Sequence, residues 1–166
     1  MKYNGVGDSM ADKTNAVRLV EQAKISCREA FYEFDENDLN GIHAAQAVGM
    51  PAEQVFKTLV ARGDRSGINV FCIPVCCELD LKKAAKASGD KKVELVAVKE
   101  LLGLTGYIRG GCSPVGMKKS YPTHMDETAI LWDEIAVSAG ERGHQMILPP
   151  EALIQFVDAQ ICDIIV

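Results

Sequence analysis

The sequence predicts a single α/β domain of the α+β kind, built on a large mixed sheet. Three observations lead there. Short helical and extended patterns follow one another without regular alternation, so neither a repeated βαβ series nor a helical bundle fits. A chain of 166 residues can bury one sizeable core and is short for two domains. Hydrophobic residues make up 48% and charged residues 25%, the balance of a folded chain rather than a disordered one. No apolar run reaches the roughly 20 residues that span a bilayer. The polar start MKYNGVGDSMADK lacks the apolar centre of a signal peptide, so the expected location is the cytoplasm. Residues 1–12 read as a flexible lead-in and 13–166 as the domain.

Thr14-Asn15 offers an N-cap, and Ala16, Val17, Leu19, Val20 and Ala23 recur at helical spacing, predicting a helix to about Lys24. Residues 27–34 hold Phe31, Tyr32 and Phe34 and read as a strand. A polar loop follows to Gly41, then a short helix around Ala44, Ala45 and Val48, stopped by Gly49. Pro51 suits the first turn of another short helix, to Gln54. VFKTLVA and residues 68–75 are dense apolar runs around a Gly/Asp/Ser turn, which predicts a hairpin in a covered sheet. Residues 78–88 read as a helix stopped by Gly89, 92–96 as a short strand, and 98–102 as a helical turn or two. Five glycines and a proline make 103–116 irregular, with room for a short strand at Tyr107-Ile108. Later expectations are a short helix at 127–131, strands at 134–137 and 146–148, a helix from Pro150 to about Ala159, and a closing strand over 161–166.

The net charge of −5 argues against a uniformly basic nucleic-acid-binding surface, though not against a local basic patch. None of the six cysteines forms C-x-x-C, and the adjacent Cys76-Cys77 pair does not match zinc-ligand spacing. Reduced thiols acting as small hydrophobes are the simplest account, and no metal or other cofactor is expected.

Three constellations carry candidate chemistry. Lys57 stands in a strand whose two faces are both apolar. A lysine there either snorkels to water or meets an anion, and spacing leaves both open. The run Gly110-Gly111-Cys112-Ser113-Pro114-Val115-Gly116 permits close backbone approach, so its N–H groups can face an anion or oxyanion. It is not a phosphate-binding P-loop, because Met117 intervenes before the lysine. Lys82, Lys83, Lys86, Lys91 and Lys92 concentrate positive charge; they form either a solvated surface or a phosphate-contacting patch. His43, His124 and His144 are dispersed, and Ser113 lacks a nucleophile elbow.

Taken in order, TNAVRLVEQAKIS, FYEFD, QVFKTLVA, LDLKKAAKASGDKKVEL, TGYIRGGCSPVGMKK and VSAGERG resemble the YbaK/EbsC family, relatives of the editing domain inserted in bacterial prolyl-tRNA synthetases. The resemblance covers residues 13–164. It implies a mixed, partly barrel-like sheet surrounded by helices, and hydrolysis of a mischarged amino acid, foremost cysteine, from the 3′ end of tRNA(Pro). By matching motif it implies catalytic roles for Lys57, Gly110 and Gly111, and substrate-binding roles for Tyr32, Thr58, Cys112, Ser113, Pro114 and Ser138. The lysine cluster would then bind tRNA. The implied partners are aminoacyl-tRNA and, in addition, prolyl-tRNA synthetase, with no membrane and no DNA. In cysteine-removing relatives the substrate's own thiol attacks the ester, so Cys112 need not be a nucleophile. Two positions depart from the cysteine-type pattern: Asn40-Gly41-Ile42 lacks an aromatic residue, and Gln145 replaces a commonly acidic one. The alternatives are a deacylase for another small amino acid such as alanine, or a non-catalytic module that binds an amino acid or tRNA end.

Overall fold

The computed structural model describes residues 13–166; the lead-in expected over 1–12 lies outside the described residues. The elements run α1 (Asn15–Gln22), β1 (Arg28–Phe31), α2 (Gly41–Val48), β2 (Phe56–Gly63), β3 (Gly67–Pro74), α3 (Leu81–Ser88), β4 (Val93–Leu95), α4 (Leu101–Thr105), β5 (Thr123–Asp126), β6 (Ile135–Ser138), β7 (His144–Leu148), α5 (Pro150–Phe156) and β8 (Gln160–Cys162). Single 3-10 turns occupy Ala52–Gln54, Val98–Glu100 and Glu127–Leu131. No helix among the described residues is long and apolar enough to cross a membrane.

The expected large sheet divides in two. One sheet has the order β4-β2-β3-β5-β8, antiparallel at its first two contacts and parallel at its last two. The other, β1-β7-β6, is wholly antiparallel. A parallel bridge between Val55 and Ala136 joins them at a corner, which gives the partly barrel-like closure. Two-residue periodicity sorts side chains between the layers. Phe56, Val70, Cys72 and Met125 meet Ile135, Val137, Met146 and Leu148 in the main core, together with Val17 and Val20 of α1 and Leu153 of α5. Alternate residues Ala61, Phe71 and Ile73 face outward beneath Ala84 and Ala85 of α3. Ala136 and Ile147 cover the far face of the small sheet with Ala45 of α2.

Local chemistry explains most element ends. The Thr14 side chain accepts from Val17 N–H, Asn40 from Ile42 N–H, and Asp80 from Lys82 and Lys83 N–H. Gly49 and Gly89 close α2 and α3 in the left-handed region. Further expectations need correction: the first strand stops at Phe31, short of Tyr32 and Phe34, and α5 stops at Phe156. Helix α3 starts at Leu81 rather than residue 78, because Asp80 takes the cap. Tyr107-Ile108 form no strand; α4 extends to Thr105, and the Thr105 hydroxyl accepts from Tyr107 N–H. The closing strand is shorter, β8, with one further bridge from Ile165 to Leu79. Strand β5 was not expected at all. Its sequence THMD is mostly polar, yet Thr123, His124 and Asp126 are buried. Most of their polar atoms find partners: His124 Nε2 lies 3.1 Å from Asn69 Oδ1, and Asp126 accepts from Thr128 and from Ile164 N–H, while His124 Nδ1 has none among the described residues.

The feature that creates the site is an incomplete edge. β3 pairs with the whole of β2, but β4 pairs only with Ala61–Gly63. Between that ladder and the corner bridge at Val55, the outer edge of residues 56–59 has no strand beside it among the described residues. Side chains from both faces of β2 reach the opening.

Candidate active site

A cavity of about 1090 Å³ fills this gap. Its walls come from the first half of β2, from Val75 after β3, from α2 and the loop before it, from the 95–101 segment, from Gly110 and Cys112, and from the β6–β7 turn. The structure brings Tyr32, Lys57, Thr58, Gly110, Cys112 and Ser138 to this one cavity, although they are spread over more than 100 residues of sequence. Gly111, Ser113 and Pro114 stand behind the wall rather than on it.

Lys57 is half-buried in β2, opposite Ile73. Among the described residues its ammonium makes no hydrogen bond or ion pair. A cation held by a strand at a cavity wall and left without a counter-charge is available to an anionic or carbonyl ligand. Thr58, on the other face of β2, has its hydroxyl 3.9 Å from Cys72 Sγ.

The glycine run is shaped by close backbone contacts. Gly110 has φ of 88°, and a Cβ there would meet Leu39 at 3.2 Å. A Cβ on Gly111 would lie 3.0 Å from the Glu141 backbone, so the run packs directly on the β6–β7 turn. Gly111 N–H donates to Ile108 O at 3.0 Å, which commits it to the turn. Ser113 Oγ accepts from Val115 N–H at 3.2 Å, and the Tyr107 hydroxyl donates to Val115 O. The N–H groups of Gly110 and Cys112 have no hydrogen-bond partner among the described residues, and both residues line the cavity. Burial pushes the Cys112 thiol up to about 11, with a hydrogen bond involving Thr105 opposing, so it stays protonated at neutral pH.

The wall formed by Tyr32, Ser138 and Gln145 is polar and neutral. Gln145 is buried opposite Ser138, and its Nε2 donates to the Tyr32 hydroxyl at 3.4 Å. Its Oε1 is buried without a partner among the described residues. Burial raises the Tyr32 phenol above its ordinary range, against the Gln145 and Gly143 hydrogen bonds, so Tyr32 remains a neutral hydroxyl. Ser138 Oγ accepts from Gly140 N–H at 3.1 Å.

Three rim residues stand outside the candidate set read from the sequence. Arg109 and Arg142 line the cavity; Arg142 Nε donates to Arg109 O at 2.9 Å, tying the two loops together. His43 also lines it, with Nδ1 2.9 Å from Asp38 Oδ2. Arg109 and Arg142 are isolated loop charges with no periodicity to betray them, and their only hint was their place in TGYIRGG and VSAGERG; His43, in α2, was one of three dispersed histidines.

The lysine cluster lies apart from the cavity. Lys83 is held by Asp163 at 3.0 Å and by Ile165 O, and Lys92 by Glu94 at 3.0 Å. Lys82, Lys86 and Lys91 are exposed, without side-chain partners among the described residues. Among those residues, no group of three or more His, Cys, Asp or Glu is placed to hold a metal ion.

Comparison with known proteins agrees with this geometry. Residues 41–156 match the aminoacyl-tRNA editing domain family. EbsC of Enterococcus faecalis, named as a Cys-tRNA(Pro)/Cys-tRNA(Cys) deacylase, is 48% identical over 152 residues, covering 92% of this chain and 93% of that protein. The proline–tRNA ligase of Shouchella clausii is 30% identical over 104 residues, which are 63% of this chain but 18% of the ligase. A crystal structure described as a trans-editing enzyme for prolyl tRNA synthetase superposes with a TM-score of 0.76 at 26% identity, covering 92% of this chain and 98% of that one. A split sheet with a cavity at its open edge, and sequence likeness over nearly the whole described chain, lead to one conclusion: the chain belongs to the aminoacyl-tRNA editing domain family.

Proposed function

We propose that the protein is a trans-acting editing deacylase that removes cysteine from mischarged tRNA(Pro), working beside prolyl-tRNA synthetase. The observation that carries this reading is Lys57, on the same cavity as the N–H groups of Gly110 and Cys112, all three without a partner among the described residues. An aminoacyl ester is already activated, so orientation and charge stabilisation suffice. Lys57 holds the terminal phosphate or the ester carbonyl and fixes the bond in place. As the carbonyl carbon is attacked, negative charge grows on its oxygen, and the two N–H groups meet it. Gly111 supports this indirectly: its own N–H closes the turn that presents its neighbours.

Neither Cys112 nor Ser138, the thiol and the serine on the wall, is set up for nucleophilic attack. The Cys112 thiol is held protonated, and the Ser138 hydroxyl accepts a backbone N–H. Attack therefore falls to the substrate's thiol, which expels the tRNA hydroxyl, or to water. The unsatisfied Gln145 Oε1 asks for a donor, and the α-ammonium of the bound amino acid supplies one.

Gln145 favours one second reading, a preference for another small amino acid such as alanine, because it stands where the cysteine-type pattern commonly has an acidic residue. A panel of Cys-, Ala- and Pro-tRNA(Pro) and Cys-tRNA(Cys), with release of free amino acid measured, decides. Fastest release from Cys-tRNA(Pro), enhanced by added synthetase, is expected. Fastest release from Ala-tRNA(Pro) would move the assignment to alanine. Tight binding without release would leave a binding module.

A further inference from the structure

Cys76 and Cys77 occupy the turn that follows β3, and their Sγ atoms lie 3.8 Å apart. Cys76 is exposed and Cys77 partly so. Elsewhere the thiols are single or buried: Cys27 and Cys162 are half-buried, and Cys72 and Cys112 are in the interior. The turn adjoins the cavity without lining it. Val75, the residue before the pair, is on the cavity wall, and its N–H donates to Val55 O at 2.8 Å. It also packs on α2 so closely that a Cβ at Gly41 would lie 2.5 Å from Val75 Cγ1. Cys77 N–H donates to Pro74 O at 3.0 Å. Lys57 is near enough to favour the Cys77 thiolate, although burial, Cys76 and Asp126 together push that thiol up to about 11.

We propose that Cys76 and Cys77 form a thiol redox site that closes reversibly into a vicinal disulfide and thereby slows deacylation in the neighbouring cavity. The effect on deacylation rests on the function proposed above; ring closure does not. The oxidant is a low-molecular-weight disulfide. The exposed Cys76, as thiolate, attacks one of its sulfurs, forming a mixed disulfide and expelling a thiolate that takes up a proton. Cys77 then gives up its proton and attacks Cys76 Sγ, expelling the second small thiol. Two protein thiols are oxidised and one disulfide is reduced to two thiols.

Closure must draw the sulfurs from 3.8 Å to a bond of about 2.05 Å. Neighbouring Cα atoms are about 3.8 Å apart, shorter than the roughly 4.4–6.8 Å that disulfides prefer. The ring is therefore strained, and strained disulfides are the easily reduced ones. The strain falls on a turn whose preceding residue supports both β2 and α2, the two walls between which substrate must fit.

The test treats the reduced protein with oxidised glutathione, then measures intact mass, disulfide position and deacylation of Cys-tRNA(Pro). Expected are loss of two hydrogens without a glutathione adduct, a link mapped to Cys76–Cys77, a fall in turnover of about tenfold, and recovery on adding reductant. Cys77→Ser should instead retain glutathione bound to Cys76, Cys76→Ser should take up little at this turn, and the double variant should keep its turnover under oxidant. A stable adduct on the wild-type protein, a link mapped to Cys72–Cys112, or unchanged turnover of the closed form overturns the proposal. If the reduced protein releases no amino acid from any charged tRNA, the functional reading fails and the regulatory half with it; the mass measurement still decides closure.

Discussion

Cys112 separates position from reactivity. It lines the cavity within the glycine run, yet burial holds its thiol near 11. In the proposed mechanism it contributes its backbone N–H, which any residue except proline supplies. Cys112→Ser is expected to retain deacylation within about threefold, and the pH–rate profile should show no limb from an enzyme thiol near pH 8–9. A thousandfold loss would instead identify a protein nucleophile. Gln145 makes the opposite point, because the proposed role lies in its side chain. Gln145→Glu is expected to tighten the hold on a substrate ammonium and lower KM for Cys-tRNA(Pro) several-fold, seen in steady-state kinetics. A raised KM would show that the amide serves another group. Lys57 was legible in the sequence because a charge amid apolar alternation is conspicuous. That Gly111 is spent on its own turn was not, since hydrogen-bond commitments are set by the folded loop.

Among the elements, α3 and the β2–β3 hairpin are held by short polar devices. Asp80 accepts from two N–H groups at the start of α3, and Asp80→Ala is expected to cost about 1 kcal/mol in denaturant unfolding. Asp90 works across the hairpin. It accepts from the Ser66 and Ser88 hydroxyls and from the Ser66 and Arg65 N–H groups, which together hold its carboxyl well below the usual range. A depressed carboxylate stabilises the fold fully above its unfolded value, near 4, and loses that contribution as pH falls through the lower folded value. Asp90→Asn should therefore be less stable at pH 7 and lose less additional stability than the wild type below about pH 4. Equal acid slopes for the two proteins would contradict this. The hairpin and the capped helices were legible from apolar runs, Asp, Asn, Thr and Gly. β5 was not, because its burial depends on partners far away: Asn69 for His124 and the 164 backbone for Asp126.

At the scale of the whole molecule, the site exists because the two sheets fail to close along β2. Strand positions alone suggested one mixed sheet; the split depends on which edges pair, and no local pattern reveals that β4 stops at Ala61. The surface away from the cavity offers a separate role for charge. Of the five clustered lysines, Lys82, Lys86 and Lys91 remain unpaired among the described residues, whereas Lys83 and Lys92 are tied to carboxylates. Replacing Lys82, Lys83 and Lys86 by Gln should weaken tRNA binding and flatten its salt dependence, with turnover at saturation unchanged. Identical salt titrations for the two proteins would place the tRNA footprint elsewhere. The central claim concerns the cavity itself. Single-turnover deacylation of Cys-tRNA(Pro) by wild type and by Lys57→Ala, each shown by circular dichroism and thermal unfolding to be folded, tests it most directly. The expected result is rapid release of cysteine by the wild type and a loss of about a hundredfold or more in the variant. A folded Lys57→Ala protein that releases cysteine at near wild-type rate would contradict the account.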